Sequence, residues 1–181
     1  PILLVDHLHR DGGLKDNEVA HFWPMVKKAA GYLVRNGPVT QEDRWEVDPG
    51  YSPYTLAAEI SALLAAADIA DMQGEKDMSG YLRQTADHWN ENIERWTYVA
   101  DTELDRQAGV DGHYMRIGPE NGSAASSPKF GFVPIKGRTG GERYKAEYTV
   151  GPDALALVRF GLRSPDDPKI TNTVKLVDHF L

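Results

Sequence analysis

The sequence predicts a mainly α fold with a small, irregular β-containing insertion, and three observations carry that expectation. Apolar residues recur at three- and four-residue spacing through the first two-thirds of the 181 residues. Within that region, a helix apolar on nearly every side (53–73) is followed by one with a single apolar stripe (76–96). Between Gly112 and Val150 the pattern changes to short extended pieces among turn formers. With 41% hydrophobic and 26% charged residues, the chain has the profile of an ordinary globular domain with a substantial core.

The elements follow in order. Ile2, Leu3, Leu4, Val5 and Leu8 make a short apolar helix stopped by Asp11-Gly12-Gly13, and it reads as the back half of a longer one. A second helix spans 17–36, with Phe22, Met25, Val26, Ala29, Ala30 and Leu33 in helical register and Gly37-Pro38 at its end. Pro24 either kinks it or marks its true first turn. Ser52-Pro53 then reads as the cap and first position of the third helix, whose "TLAAEISALLAAADIA" suits an inner helix packed between neighbours. The fourth helix carries Met78, Leu82, Ala86, Trp89, Ile93 and Trp96 on one side, as an outer, half-exposed helix does.

In the insertion at 112–150, "HYMRI", "FGFVPI" and "YKAEYTV" are separated by "GPENGSAASSP" and "KGRTGGE". A long irregular segment of this kind is more often functional than idle. Two helices follow, Pro152 to Phe160 closed by Gly161, and Pro168 to the end, each opened by proline.

Charge and composition remove several function classes. A net charge of −7 and the lack of a basic run interleaved with aromatics argue against nucleic acid and against a basic membrane face. No apolar run reaches membrane-spanning length. Without cysteine there are no disulfides and no thiolate metal or nucleophile chemistry, and the compartment is left open. The first residues lack the charged-then-apolar order of a signal peptide. His7 and His9 beside Asp6 point to different helix faces and read as surface residues rather than metal ligands. "GRTGG" lacks the ending of a phosphate loop, no G-x-S-x-G is present, and nothing alternates strand and helix as dinucleotide binding requires. No cofactor is expected.

The remaining candidate is "QEDRWEVDPGYSP" at 41–53, directly before the inner helix. Bundles and helical barrels build their sites from side chains and loops at one end of such helices. Trp45 supplies a sugar-stacking face and a low-dielectric wall. Beside that wall the charged form of Glu46 is disfavoured, which moves it toward the range of a general acid. Glycoside hydrolysis uses such a carboxylic acid to protonate the leaving oxygen.

These residues carry a resemblance. "FWPMVKKAAGYLVRNGPVTQEDRWEVDPGYSPYTLAAEISALLAAADIA", with "DGHYMRIGP" and "LALVRFGLRSPDDPKITNTVKLVDHFL", resembles the middle of the catalytic domain of bacterial glucoamylases and glucodextranases. The resemblance spans nearly the whole chain, and "QEDRWE" followed by "GYSP" is its most specific part. It implies one partial (α/α)6 barrel over residues 1–181 and inverting release of β-glucose from the non-reducing ends of α-glucans, a reaction of polysaccharide degradation. Carried over residue by residue, Glu46 matches the general acid, Trp45 the wall of the sugar subsite, Arg44 the same motif, and Tyr114 and Arg116 a substrate-binding segment near the barrel mouth. The expected partners are an α-glucan or oligosaccharide and the remaining parts of the same catalytic domain.

Three departures accompany it. Val47 stands where the family has a second glutamate that contacts substrate. Glu147 occupies the region of an expected glucose-binding arginine. The family's general base lies farther downstream than this chain extends, although inversion needs two carboxylates about 6.5–9.5 Å apart; Asp43 and Asp48 are poorly placed to serve as the second.

The first functional reading is therefore a glycosidase segment, active only with the missing parts. The second is a non-catalytic helical carbohydrate-binding or scaffold relative, and the third a plain helical interaction protein. Because the terminal helices start and stop within their apolar stripes, the isolated chain is expected to expose apolar surface and associate, which sedimentation velocity would detect.

Overall fold

Pro53–Met72 forms a 20-residue helix, α3 of the computed structural model. Leu56, Ala57, Ile60, Leu63, Ala66, Ala67, Ile69 and Ala70 are all buried, so burial runs nearly all the way round it. That is the inner helix expected of its composition. The structure describes residues 1–44, 49–120, 131–134 and 143–181. Before α3 come α1 (Ile2–Arg10) and α2 (Asp16–Asn36), and after it α4 (Lys76–Thr97). There follow β1 (Tyr98–Ala100), α5 (Glu103–Ala108), β2 (Gly112–Tyr114), β3 (Phe132–Pro134), β4 (Arg143–Lys145), α6 (Leu155–Arg159) and α7 (Pro168–Phe180). The described residues group into two compact units, Pro1–Pro38 with Ala58–Asn90, and Val39–Ala57 with Glu91–Leu181; the division falls within α3 and α4.

The first unit is helical throughout. α2 begins with the Glu18 carboxylate accepting from the Lys15 backbone N–H at 2.8 Å, which satisfies a donor left over by the helix start. It runs as one helix through Pro24, so that proline does not mark its first turn. Val19, Trp23, Val26 and Ala30 form its buried face. Trp23 Nε1 donates to Glu75 at 2.9 Å and Lys27 Nζ lies 2.5 Å from the same carboxylate, tying α2 to the turn between α3 and α4. Where the chain leaves α2, a Cβ at Gly37 would fall 2.6 Å from the Trp89 ring and 3.1 Å from Glu59 Oε2, so only glycine fits. On α4 the buried apolar positions are Leu82, Ala86, Trp89 and Ile93, with Ser79 and Thr97 buried at the same spacing, the single stripe of an outer helix.

The second unit holds all the strands. β1 pairs with β2, and β3 with β4, both antiparallel; among the described residues no larger sheet occurs. The partner of β2 therefore lies before the insertion rather than inside it. β1 and α5 fall in a stretch for which the apolar spacing predicted no element. Their cause is local: the Thr102 hydroxyl accepts from the Asp105 N–H at 3.1 Å, the Asp105 carboxylate accepts from the Thr102 N–H at 2.8 Å, and Gly109 closes α5 in the left-handed region. Val99, Met115, Ile117, Val133 and Ala146 pack together as the core under these strands. α7 is capped by Asp167, whose carboxylate accepts from the Lys169 N–H at 2.8 Å, with Pro168 in the first turn as expected. Its buried Thr173 accepts from the Tyr114 N–H at 2.9 Å and fixes the helix to β2.

One carboxyl sits badly in this frame. Glu59 Oε2 is buried without a hydrogen-bond partner among the described residues, and burial pushes its pKa from 4.5 up to about 7. The folded state thus holds this proton more tightly than the unfolded chain, and stability falls as pH rises between those values. We predict that Glu59→Gln removes a decline on the order of 3 kcal/mol between pH 4.5 and 8, measured by urea unfolding; a pH dependence equal to the parent's would refute it.

Candidate active site

The segment carrying the motif is a loop tied at its base by backbone. Thr40 and Gly50 exchange N–H···O bonds of 2.9 Å, and Tyr51 and Gly118 exchange bonds of 2.8 Å. Both bridges need bare backbone. Gly50 has φ 142°, and a Cβ there would fall 2.2 Å from the Gly118 carbonyl oxygen; a Cβ at Gly118 would fall 2.0 Å from that of Trp96. Beside the crossing, Tyr51 stacks on Trp96 with ring centroids 4.8 Å apart and planes 13° from parallel. Ser52 then opens α3, its Oγ accepting from the Thr55 N–H at 3.3 Å.

Within the loop, two consecutive residues are held by charges of opposite sign. Asp43 is 3% exposed, and Arg116 Nη1 donates to its Oδ2 at 2.5 Å. Arg44 Nε lies 3.2 Å from Oδ1 of Asp153, itself 3% exposed, and its guanidinium sits 4.9 Å from the centre of the Tyr54 ring. Arg116 and Asp153 meet at Gly151, where a Cβ would fall 3.2 Å from Arg116 Cγ and 2.8 Å from Asp153 Oδ2. Trp45, Glu46, Val47 and Asp48 lie outside the described residues.

Tyr114 faces inward. It is 1% exposed, its ring packs edge-on against Tyr98 at 5.1 Å, and its hydroxyl donates to Glu94 at 2.6 Å. Arg163 grips the same carboxylate with Nε at 2.7 Å and Nη2 at 2.9 Å. Burial pushes Glu94 up, but the bonds from Arg163 and Tyr114 outweigh it and leave the carboxyl below its ordinary value. Burial and the bond to Glu94 raise the Tyr114 pKa, so it remains a neutral donor. Tyr114, expected to bind substrate, is thus buried and bonded to Glu94, where it serves as support. His113 is fully buried next to it, with Nδ1 2.6 Å from Asp105 Oδ1 and Nε2 3.2 Å from the Glu147 carbonyl. Glu147 is 8% exposed, with its carboxylate 3.7 Å from Lys145.

The structure therefore brings Arg44 and Arg116 to one place and sets Tyr114 in the interior. Asp153, Glu94, Arg163 and Gly151 escaped sequence reasoning, because their partners lie far along the chain, as with Glu94 and Arg163 at a separation of 69 residues. Among the described residues no group of three or more His, Asp or Glu could hold a metal ion. His7 and His9 pair separately with Asp11 and Asp16.

Removing the Tyr114 hydroxyl tests the support. Tyr114→Phe is expected to cost about 1 kcal/mol and Arg163→Met about 2–3 kcal/mol, since only the second leaves a half-buried carboxylate without its cation. The Arg163 contribution is present above about pH 4.5, the ordinary carboxylate value here, and lost as pH falls through the lowered pKa of Glu94. Denaturant unfolding of both variants at pH 7 and in acid checks the ranking.

Comparison with known proteins matches this frame. The glycosyl hydrolases family 15 model matches residues 6–181. A glucoamylase of Clostridium sp. (strain G0005) is 36% identical over 154 residues, covering 85% of this chain and 20% of that protein. A crystal structure of a bacterial glucoamylase complexed with acarbose superposes with a TM-score of 0.81 at 34% identity, over all of this chain and 24% of the other. The chain thus spans about a fifth to a quarter of the length of these relatives. The mainly α fold is that of part of an (α/α)6 barrel, as expected, and the chain belongs to glycosyl hydrolases family 15.

Proposed function

From that membership we propose that the chain is the part of a glycosidase catalytic domain that supplies the general acid, Glu46, for cleaving α-glucans from their non-reducing ends. The observation carrying this reading is the loop: its tie points, its two charge pairs and the head of α3 hold the segment on both sides of Glu46. Glu46 protonates the leaving glycosidic oxygen, while a second carboxylate activates water on the opposite face of the sugar, releasing β-glucose by inversion. Trp45 provides the stacking wall, and the substrate is a maltose- or isomaltose-type oligosaccharide. The base does not come from Asp43, whose carboxylate is buried on Arg116. By themselves these 181 residues are therefore not expected to turn over glucan.

A second reading, a non-catalytic carbohydrate-binding or scaffold relative, is favoured by one feature. Val47 takes the place of a substrate-contacting glutamate next to the acid.

In the full-length protein, Glu46→Gln is expected to lower glucose release from maltose and isomaltose by roughly 10²–10⁴-fold while sugar binding and thermal unfolding stay close to the parent's. Unchanged turnover removes Glu46 from the mechanism. A parent that binds oligosaccharide without releasing glucose supports the second reading.

A further inference from the structure

We propose that Asp43, Arg116, Gly151, Asp153 and Arg44 form one positioning unit that fixes the loop and thereby sets where Glu46 delivers its proton. The inference rests on the reading of Glu46 as the acid, and it gives Arg44 and Arg116, expected from the resemblance to bind substrate, a role in holding the loop.

The geometry is reciprocal. On the loop, an acid (Asp43) and a base (Arg44) occupy neighbouring positions; on the frame, a base (Arg116) and an acid (Asp153) receive them at 2.5 Å and 3.2 Å. Opposite polarities at adjacent residues leave one register of loop against frame. A shift by one residue in one direction would set Asp43 against Asp153, and in the other Arg44 against Arg116, so either shift replaces an attraction with a repulsion. Both acids are buried, so their charges are poorly screened and the two pairs are sensitive to displacement of the loop.

The frame pair is itself aligned by backbone. The Arg116 N–H donates to the Thr149 carbonyl at 2.5 Å, and the Thr149 hydroxyl donates to the Ala146 carbonyl at 2.6 Å. Between the two frame side chains stands Gly151, whose φ of −177° is open to any residue. Its lack of a side chain is therefore a matter of space: a methyl group there would press on Arg116 and on the Asp153 carboxylate together.

A proton donor displaced by about 1 Å costs on the order of 10²-fold in rate, because proton transfer needs hydrogen-bond contact with the leaving oxygen. A positioning role therefore predicts a loss in kcat with little change in KM. It also predicts that the loss depends on the carboxyl being positioned.

The test compares Asp43→Asn, Arg116→Met, Arg116→Lys and Gly151→Ala in the full-length protein, each alone and combined with Glu46→Gln, by steady-state hydrolysis of maltose across pH with thermal unfolding alongside. Expected is a fall in kcat of about 10- to 100-fold for Asp43→Asn and Gly151→Ala, with KM within about threefold. Arg116→Lys should recover part of the Arg116→Met loss, and each cost should shrink to about threefold or less in the Glu46→Gln background. Equal losses in both backgrounds, or losses confined to KM, overturn the positioning role and leave the acid assignment standing. Parent-like turnover in Glu46→Gln alone overturns the acid assignment itself. Should Asp43→Asn fail to fold, Gly151→Ala and Arg116→Lys carry the same comparison.

Discussion

The candidate site depends on backbone meeting backbone where no side chain fits. Gly50 lies against the Gly118 carbonyl, and Gly118 lies against that of Trp96, so three segments far apart in sequence pass within hydrogen-bonding distance of one another. A Cβ at either glycine would have to occupy space already filled by main chain, which cannot rotate aside as a side chain can. From that crossing the rest of the loop's placement follows. Tyr51 is set to stack on Trp96, Ser52 is set to cap α3, and Arg116, two residues before Gly118, is delivered under Asp43.

Electrostatics refine what the backbone fixes. Buried ion pairs are poor sources of net stability, since desolvating both charges offsets most of their attraction. What they do well is penalise misplacement, and Asp43 with Arg116 and Arg44 with Asp153 are arranged for that. The Glu94, Arg163 and Tyr114 cluster is of another kind. There a bidentate arginine and a phenol satisfy one carboxylate, joining the last turn of α4 to β2 and to the segment following α6. It holds elements together without a preference among neighbouring registers of a loop.

The helices were legible in the sequence because their causes are local or periodic. The all-round burial of α3 and the single stripe of α4 follow from composition alone, and the prolines opening α3 and α7 act within one turn. β1 and α5 were not legible from apolar spacing, for three-residue strands have too little period and α5 is set by a side-chain cap. In the site, the resemblance pointed to Arg44 and Arg116, but nothing in the spacing named Asp153 or Gly151 as their setting. Tyr114 misled for a related reason. Aromatic residues serve both sugar surfaces and cores, and only its 1% exposure and its bond to Glu94 separate the two uses.

The same physics weighs the two functional readings against each other. Val47 alters what the loop presents to a sugar, whereas Asp43 and Arg44 concern how the loop is held. A scaffold selected only for stability would do as well with apolar residues at Asp43 and Asp153, because burying their charges brings little net gain. Two buried acids are reasonable where the position of a third has to be reproducible to a fraction of an ångström, as proton transfer to a glycosidic oxygen demands and sugar stacking does not. On that ground the arrangement is easier to account for under the proposed catalytic reading than under the scaffold reading.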